Sequence, residues 1–333
     1  MARPRAPATV EGMEYRDLGR TGLRVSAIGF GAWGIGGYVP GASYGATDDA
    51  TSRAALARAF DRGIVFFDTA PAYGDGHSET LIGEFVAGLS AADADRVVIA
   101  TKAGQTRFVD PVDFAPGAIR ASVETSLRRL RRKAIDLLQL HNPTPDLLAS
   151  RPEIVGCLDD LKREGTIRAW GISTKSPSEA LRCVREFAAP VVQANYNLID
   201  HRAVDCGLFD EARARKAGVI ARTPLAFGFL TGTVSPDAAF PDGDHRRLWP
   251  RERLESWSKA ARAFVGDIAA REGQSLAQIA LRFCVSRKDV STAIPGILSP
   301  AEADANAAAG LAGPLAPDDL ARIGAAYRAS AFA

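Results

Sequence analysis

Four side chains able to carry protons or charge stand where apolar, strand-like runs end. Ile64-Val65-Phe66-Phe67 runs into Asp68, with Tyr73 five residues further on; Val97-Val98-Ile99-Ala100-Thr101 delivers Lys102; Ile135-Asp136-Leu137-Leu138-Gln139-Leu140 delivers His141. Short apolar runs of this kind fit buried parallel strands, and parallel α/β folds place their chemistry at one set of strand ends. Carbonyl reduction needs a hydride donor, a proton donor and a group that polarises the carbonyl. Tyr73 is the natural acid, although a phenol gives up its proton poorly near neutral pH unless a cation stabilises the phenolate. Lys102 can be that cation, kept charged by Asp68, and His141 can donate a hydrogen bond to the substrate oxygen. A Schiff base on Lys102, as an aldolase would use, is the competing chemistry. Asp68 and Tyr73 favour the reductase.

The elements that must hold these residues alternate. Helical patterns over 48–62, 79–88, 116–131, 152–164 and 177–187 lie between the strand-like runs, several opening with Pro in the first turn. Further strand-like runs cover 167–172, 191–194, 219–222 and 290–294, and 25–30 supplies the first. Eight strands separated by helical patterns imply right-handed parallel crossovers and a closed (β/α)8 TIM barrel. Gly29 and Gly31 lead on to Trp33 and Gly34, without the spacing or acidic residue of a dinucleotide fingerprint, so a doubly wound sheet is the weaker reading. Segment 223–250 is too long for an ordinary connection and is read as a functional loop after strand seven. A helix near 318–328 should pack outside the barrel. Residues 1–333 are expected to form one domain, with 1–12 a flexible tail.

On these motifs the chain resembles the aldo-keto reductases. Asp68-Thr69-Ala70-Pro71-Ala72-Tyr73-Gly74, closed by Ser78-Glu79 and Gly83, then Thr101-Lys102 and Leu140-His141-Asn142-Pro143 occur in that family's order and spacing. The similarity runs from Arg16-Asp17-Leu18-Gly19-Arg20-Thr21-Gly22 to the Asn306 region. It implies a hydride transfer between NAD(P)H and a small aldehyde, aldose or keto-sugar, or the corresponding alcohol, with Asp68, Tyr73, Lys102 and His141 as catalytic residues. The resemblance puts Ser173 and Gln193 on the nicotinamide carboxamide, with Thr174 in place of the usual Asn. Arg222 stands where an aromatic usually lies beneath the nicotinamide. It either stacks there, favouring the neutral reduced ring, or pairs with a carboxylate at the barrel top. Pro224, Leu225, Gly228 and Leu230 fall in the segment that contacts the pyrophosphate, and Gly296, Leu298, Glu302 and Asn306 in the adenosine segment. Glu302 would repel a 2′-phosphate and could accept hydrogen bonds from a bare ribose, which favours NAD(H) over NADP(H) unless Arg246 or Arg247 folds back. Trp33, Tyr38, Phe108, Phe227 and Trp249, in loops beyond strands, are candidate walls of the substrate pocket. Some relatives are channel-associated, cofactor-sensing subunits, which leaves a non-catalytic binding role as the alternative.

Bulk properties narrow the field further. With 47% hydrophobic and 24% charged residues the composition is that of an ordinary globular protein. Lys and Arg number 41 against 39 Asp and Glu, a net charge of +2 that gives no nucleic-acid footprint. The basic run Arg128-Arg129-Leu130-Arg131-Arg132-Lys133 reads as a helix end complementing the dipole. The four cysteines are scattered, which fits a reducing, cytoplasmic setting rather than disulfides or zinc. No apolar stretch approaches the ~20 residues of a membrane span. His77, His201 and His245 are too separated for a metal set and are expected in solvated loops.

Overall fold

The computed structural model describes residues 12–39 and 42–332. The expected tail over 1–12 therefore lies almost wholly outside the described residues. Two short strands, β1 (Tyr15–Asp17) and β2 (Arg24–Ser26), pair antiparallel as an N-terminal hairpin. Eight parallel strands follow in sequential order: β3 (Phe30–Gly31), β4 (Phe66–Asp68), β5 (Val98–Ala103), β6 (Ile135–His141), β7 (Ile167–Ser173), β8 (Val191–Asn195), β9 (Gly218–Arg222) and β10 (Val290–Ala293). The sheet closes on itself. Ile28 bridges Ala293, Gly31 bridges Gly296, and the Gly29 N–H donates to Ala293 O at 2.8 Å. A Cβ on Gly31 would come within 2.8 Å of Ile294 O, so only glycine fits this seam.

One expectation is corrected here. The apolar run 25–30 is not a single strand: its first half belongs to the hairpin, and the first barrel strand is only Phe30–Gly31. Leu18, Leu23 and Val25 pack against Phe66, Val98, Ala100, Leu137, Ala169, Val191, Ile220 and Ile294 as a cluster separate from the main core. The hairpin thus plugs the N-terminal mouth of the barrel, which explains why an apolar residue such as Val25 need not lie on a barrel strand. Arg16 fastens the plug, donating to Val290 O and Val285 O, each at 2.6 Å.

Strand periodicity fixes what the interior contains. Side chains alternate across a strand, so those in phase with Phe66, Ala100, Leu137, Ala169, Val191 and Ile220 point inward. One step further along the same strands come Asp68, Lys102, Gln139, Gly171, Gln193 and Arg222, and beyond these His141 and Ser173. An apolar layer therefore underlies a polar one at the C-terminal ends. Outside, helices Asp49–Asp61, His77–Ala87, Pro116–Leu130, Glu153–Arg163 and Pro177–Glu186 match the expected ones within a few residues. Segment 223–250 holds two short 3-10 turns and leads into a long helix, Arg251–Glu272, against which the terminal helix Pro317–Arg328 packs. No helix of the described residues is long and apolar enough to cross a membrane.

Candidate active site

The strand-end residues converge. Lys102, only 1% exposed, spends its three N–H donors on Asp68 Oδ1 at 2.6 Å, Thr69 O at 2.8 Å and Tyr73 Oη at 3.0 Å. Burial alone would depress this lysine, but the Asp68 carboxylate and the Tyr73 hydroxyl more than offset it, and its ammonium is held above the ordinary value. His141 is buried beside it, edge-on to the Tyr73 ring with centroids 6.2 Å apart. Burial, then the charges of Lys102 and Arg222, push the His141 imidazole well below its usual range, so the ring is neutral. Its Nδ1 is buried without a hydrogen-bond partner.

The rest of the Tyr73 motif is fastening. A Cβ on Gly74 (φ 64°) would lie 1.9 Å from Gly36 O, so glycine lets the loops after β3 and β4 touch and sets Tyr73 against Trp33. Ser78 Oγ donates to Ala32 O at 2.9 Å. Glu79, fully buried, accepts from Thr101 Oγ1 at 2.6 Å and pairs with Arg129 at 3.2 Å. The basic run at the end of Pro116–Leu130 thus does more than complement a helix dipole: one of its arginines neutralises the motif's glutamate.

Polar side chains behind the tetrad form a continuous network. Asp68 Oδ2 accepts from Gln139 Nε2 at 3.0 Å and Gln193 Nε2 at 2.8 Å, while Ser173 Oγ donates to Gln193 Oε1 at 3.2 Å. Arg222 is half-buried, and one guanidinium nitrogen donates to Asn142 Oδ1 at 3.1 Å, Ser173 Oγ at 3.2 Å and Thr174 O at 3.3 Å. No carboxylate of a described residue pairs with it, so the ion-paired alternative for Arg222 does not hold. Thr174 turns its hydroxyl to Ser176 O at 2.9 Å. Gln139 and Asn142 were not singled out from sequence. The signal for Gln139 was its inward phase with Leu137 and His141; that for Asn142 is its left-handed backbone, φ 59°, which no sequence pattern exposes.

A cleft of about 460 Å³ opens on this network. Asp68 and Tyr73 lie at its floor with Arg222; Pro224, Leu225 and Gly228 line it from segment 223–250. Gly296, Leu298, Glu302 and Asn306 line it from the segment after β10. Arg222 and the residues assigned to the pyrophosphate and adenosine therefore share one cleft, with Gly228 and Gly296 in its lining, and this fits a nicotinamide dinucleotide. Ser173, Thr174, Gln193 and Leu230 are buried behind the wall rather than on it. Of the five expected substrate walls, Trp33 and Phe227 line the cleft. Phe108 stacks on Tyr73 at 6.2 Å, Tyr38 is largely exposed, and Trp249 stands behind Phe227 at 5.2 Å. Tyr44, not singled out from sequence, also lines it, as does Arg246, the loop arginine weighed as a phosphate partner.

Two of the three histidines are not solvated. His201 stacks on Tyr327, and His245 lies among Trp33, Tyr44 and Phe227, with only 12% of its side chain exposed. Both ring nitrogens Nε2 are buried without partners. His77 alone is partly open, paired with Asp49 at 2.8 Å.

The fold and the site together define an α/β-barrel oxidoreductase. The chain belongs to the aldo/keto reductase family, whose model matches residues 27–328. It is 33% identical over 308 residues to an L-galactose dehydrogenase of Arabidopsis thaliana, covering 89% of this chain and 88% of that one. It is 31% identical over 301 residues to an L-glyceraldehyde 3-phosphate reductase of Escherichia coli, covering 85% and 84%. Among solved structures, the glycerol dehydrogenase of Gluconobacter oxydans superposes with a TM-score of 0.78 at 26% identity, over 97% of this chain and 98% of that one.

Proposed function

We propose that this protein moves a hydride between a nicotinamide cofactor and the carbonyl or alcohol carbon of a small, polyhydroxylated substrate such as an aldose or keto-sugar. The observation that carries this reading is the hydrogen bond from Lys102 Nζ to Tyr73 Oη. An ammonium can only donate, so the Tyr73 oxygen accepts, and its own proton is left for a partner in the cleft that Tyr73 lines. The cofactor supplies or accepts the hydride when bound. Tyr73 gives the proton to the substrate oxygen, Lys102 stabilises the phenolate left behind, and Asp68 holds Lys102 charged. His141, neutral, offers an N–H to the same oxygen.

Arg222 would hold the ring, supported from behind the wall by Ser173 and, through it, Gln193, the backbone of 225–228 the pyrophosphate, and Glu302 and Asn306 the adenosine. We favour NAD(H). Glu302 lines the cleft, while Arg246 is already bound to Asp244 at 2.6 Å and Arg247 to Asp242, so the loop arginines carry little free charge for a 2′-phosphate. A Schiff-base aldolase needs a neutral amine, and the raised Lys102 opposes it. A purely cofactor-sensing subunit would have no use for a proton donor so fully supported. The unpaired cysteines fit the cytoplasm.

The test is turnover of an activated aromatic aldehyde and a panel of aldoses with NADH and NADPH. Cofactor oxidation that Tyr73→Phe abolishes is the expected result. Tight cofactor binding without turnover on any carbonyl or polyol would favour the sensing subunit, and borohydride trapping of substrate on Lys102 the aldolase.

A further inference from the structure

We infer that Gln139 is a positioning residue for the proton donor, acting with Gln193 as a two-amide clamp on Asp68; the inference rests on the catalytic reading of Tyr73 given above. Gln139 is fully buried on β6, inward-facing, between the apolar layer of Leu137 and the site residue His141. Its Nε2 donates to Asp68 Oδ2 at 3.0 Å, and its Oε1 accepts from Gln193 Nε2 at 3.3 Å. Gln193 Nε2 also donates to Asp68 Oδ2, at 2.8 Å. A carboxylate only accepts, so both amides are locked with their nitrogens toward Asp68.

Two consequences follow from those polarities. Oxygen Oδ2 of Asp68 is reserved for the amides, which leaves Oδ1 for Lys102 at 2.6 Å and fixes where the ammonium sits relative to Tyr73. Gln193, with its N–H donors spent, presents only Oε1 on its other side, where it accepts from Ser173 Oγ. Ser173 in turn accepts from Arg222. The donors run one way, from Arg222 through Ser173 and Gln193 to Asp68, so the residues assigned to the nicotinamide end and the acid share one hydrogen-bond chain. Gln139 belongs to that chain and touches neither the cleft nor the assigned cofactor residues other than Gln193.

The charged and titratable groups around the clamp are Asp68 on β4, Lys102 on β5, Tyr73 beyond β4, His141 on β6 and Arg222 on β9. Glu79 faces away, toward Thr101 and Arg129. Removing the Gln139 amide strips a positive dipole end from Asp68. Its negative charge then presses harder on the Lys102–Tyr73 pair, which disfavours a second negative charge on the phenol. The ionisation midpoint of Tyr73 should therefore move to higher pH.

Gln139→Met keeps the side-chain volume and removes the donor. The phenolate absorbance titration of parent and variant, each minus that of the same protein carrying Tyr73→Phe, isolates Tyr73 without needing turnover. Gln139→Met should raise that midpoint by at least half a pH unit, with the circular dichroism of the parent and NADH affinity within threefold of it. Turnover should fall about tenfold or more in Gln139→Met, and its alkaline limb should follow the midpoint. A lowered melting temperature with the Tyr73 midpoint and pH profile unmoved would make Gln139 a packing residue and overturn the inference. A moved midpoint in a protein that Tyr73→Phe leaves fully active would instead sink the catalytic reading and leave the clamp standing. If Gln139→Met fails to fold, Gln193→Leu in the same titration decides, and an unmoved midpoint there overturns the clamp.

Discussion

A phenol hydrogen-bonded to a buried ammonium has one proton to give and a cation to replace it. Tyr73→Phe should therefore leave NADH affinity close to normal while single-turnover hydride transfer drops by roughly two to four orders of magnitude. A loss smaller than tenfold would remove Tyr73 from the chemistry. Lys102→Met removes the cation and should carry the alkaline limb of the pH–rate profile upward. It also leaves Asp68 buried without its ion partner, on the scale of about 3–5 kcal/mol, so its folding must be checked by circular dichroism first. Asp68, Lys102 and His141 were legible because each sits where an apolar run stops, and Tyr73 because it stands in the loop just beyond Asp68. Gln139 was not, because a lone amide inside an apolar run looks like an exception until the inward phase of the strand is known. Thr174 and Arg222 were visible as departures from the family pattern, but the partners that occupy them, Ser176 O and Asn142, belong to the folded backbone.

At the scale of elements, helices and strands were legible from period and from Pro in the first turn, as at Pro177, where the structure adds a Ser176–Glu179 capping box. The N-terminal hairpin was missed because a plug and a barrel strand bury the same kinds of residue. Segment 223–250 was marked by its length alone. Its folded form shows why it matters: Asp244 bridges Ser43, and His245 N–H donates to Ser43 O at 3.1 Å, so the loops after β3 and β9 are stitched together beside the cleft. Arg246 serves that stitch. The segment after β10 is then the element we propose reads the ribose; in it Glu302 Oε2 accepts from Leu298 N at 2.6 Å. Glu302→Arg with Leu298→Arg should shift preference toward NADPH by roughly 1–3 kcal/mol, about tenfold to a hundredfold in affinity, with turnover at saturation unchanged. Titration of both reduced cofactors into parent and variant measures it. Tighter NADPH than NADH binding by the parent would assign the phosphate to loop arginines released from the stitch.

At the scale of the whole molecule, a buried histidine fastens the terminal helix to the barrel, and acid should loosen it. His201, beyond β8, lies face to face with Tyr327 of the terminal helix Pro317–Arg328, centroids 3.8 Å apart and planes 11° apart, and stacks on Phe283 at 5.0 Å. Its Nε2 is buried with no partner, so a second proton there would have no acceptor. Burial brings the imidazole down to about 4 from an ordinary 6.5. The folded protein therefore binds this proton more weakly than the unfolded chain does. Stability from the neutral ring is full above the unfolded value of 6.5 and is lost progressively as pH falls toward 4. At 1.36 kcal/mol per pH unit, the loss over that window approaches about 3 kcal/mol. His141 and His245 are also depressed by burial and steepen the same decline, so the contribution of His201 has to be read as a difference. His201→Phe keeps a flat ring between Tyr327 and Phe283 and removes the titration. Urea unfolding of parent and variant at intervals from pH 7 to 4 should give curves that converge above 6.5 and separate below it, the variant falling less. Parallel curves across the whole range would show that His201 takes up its proton without disturbing the terminal helix.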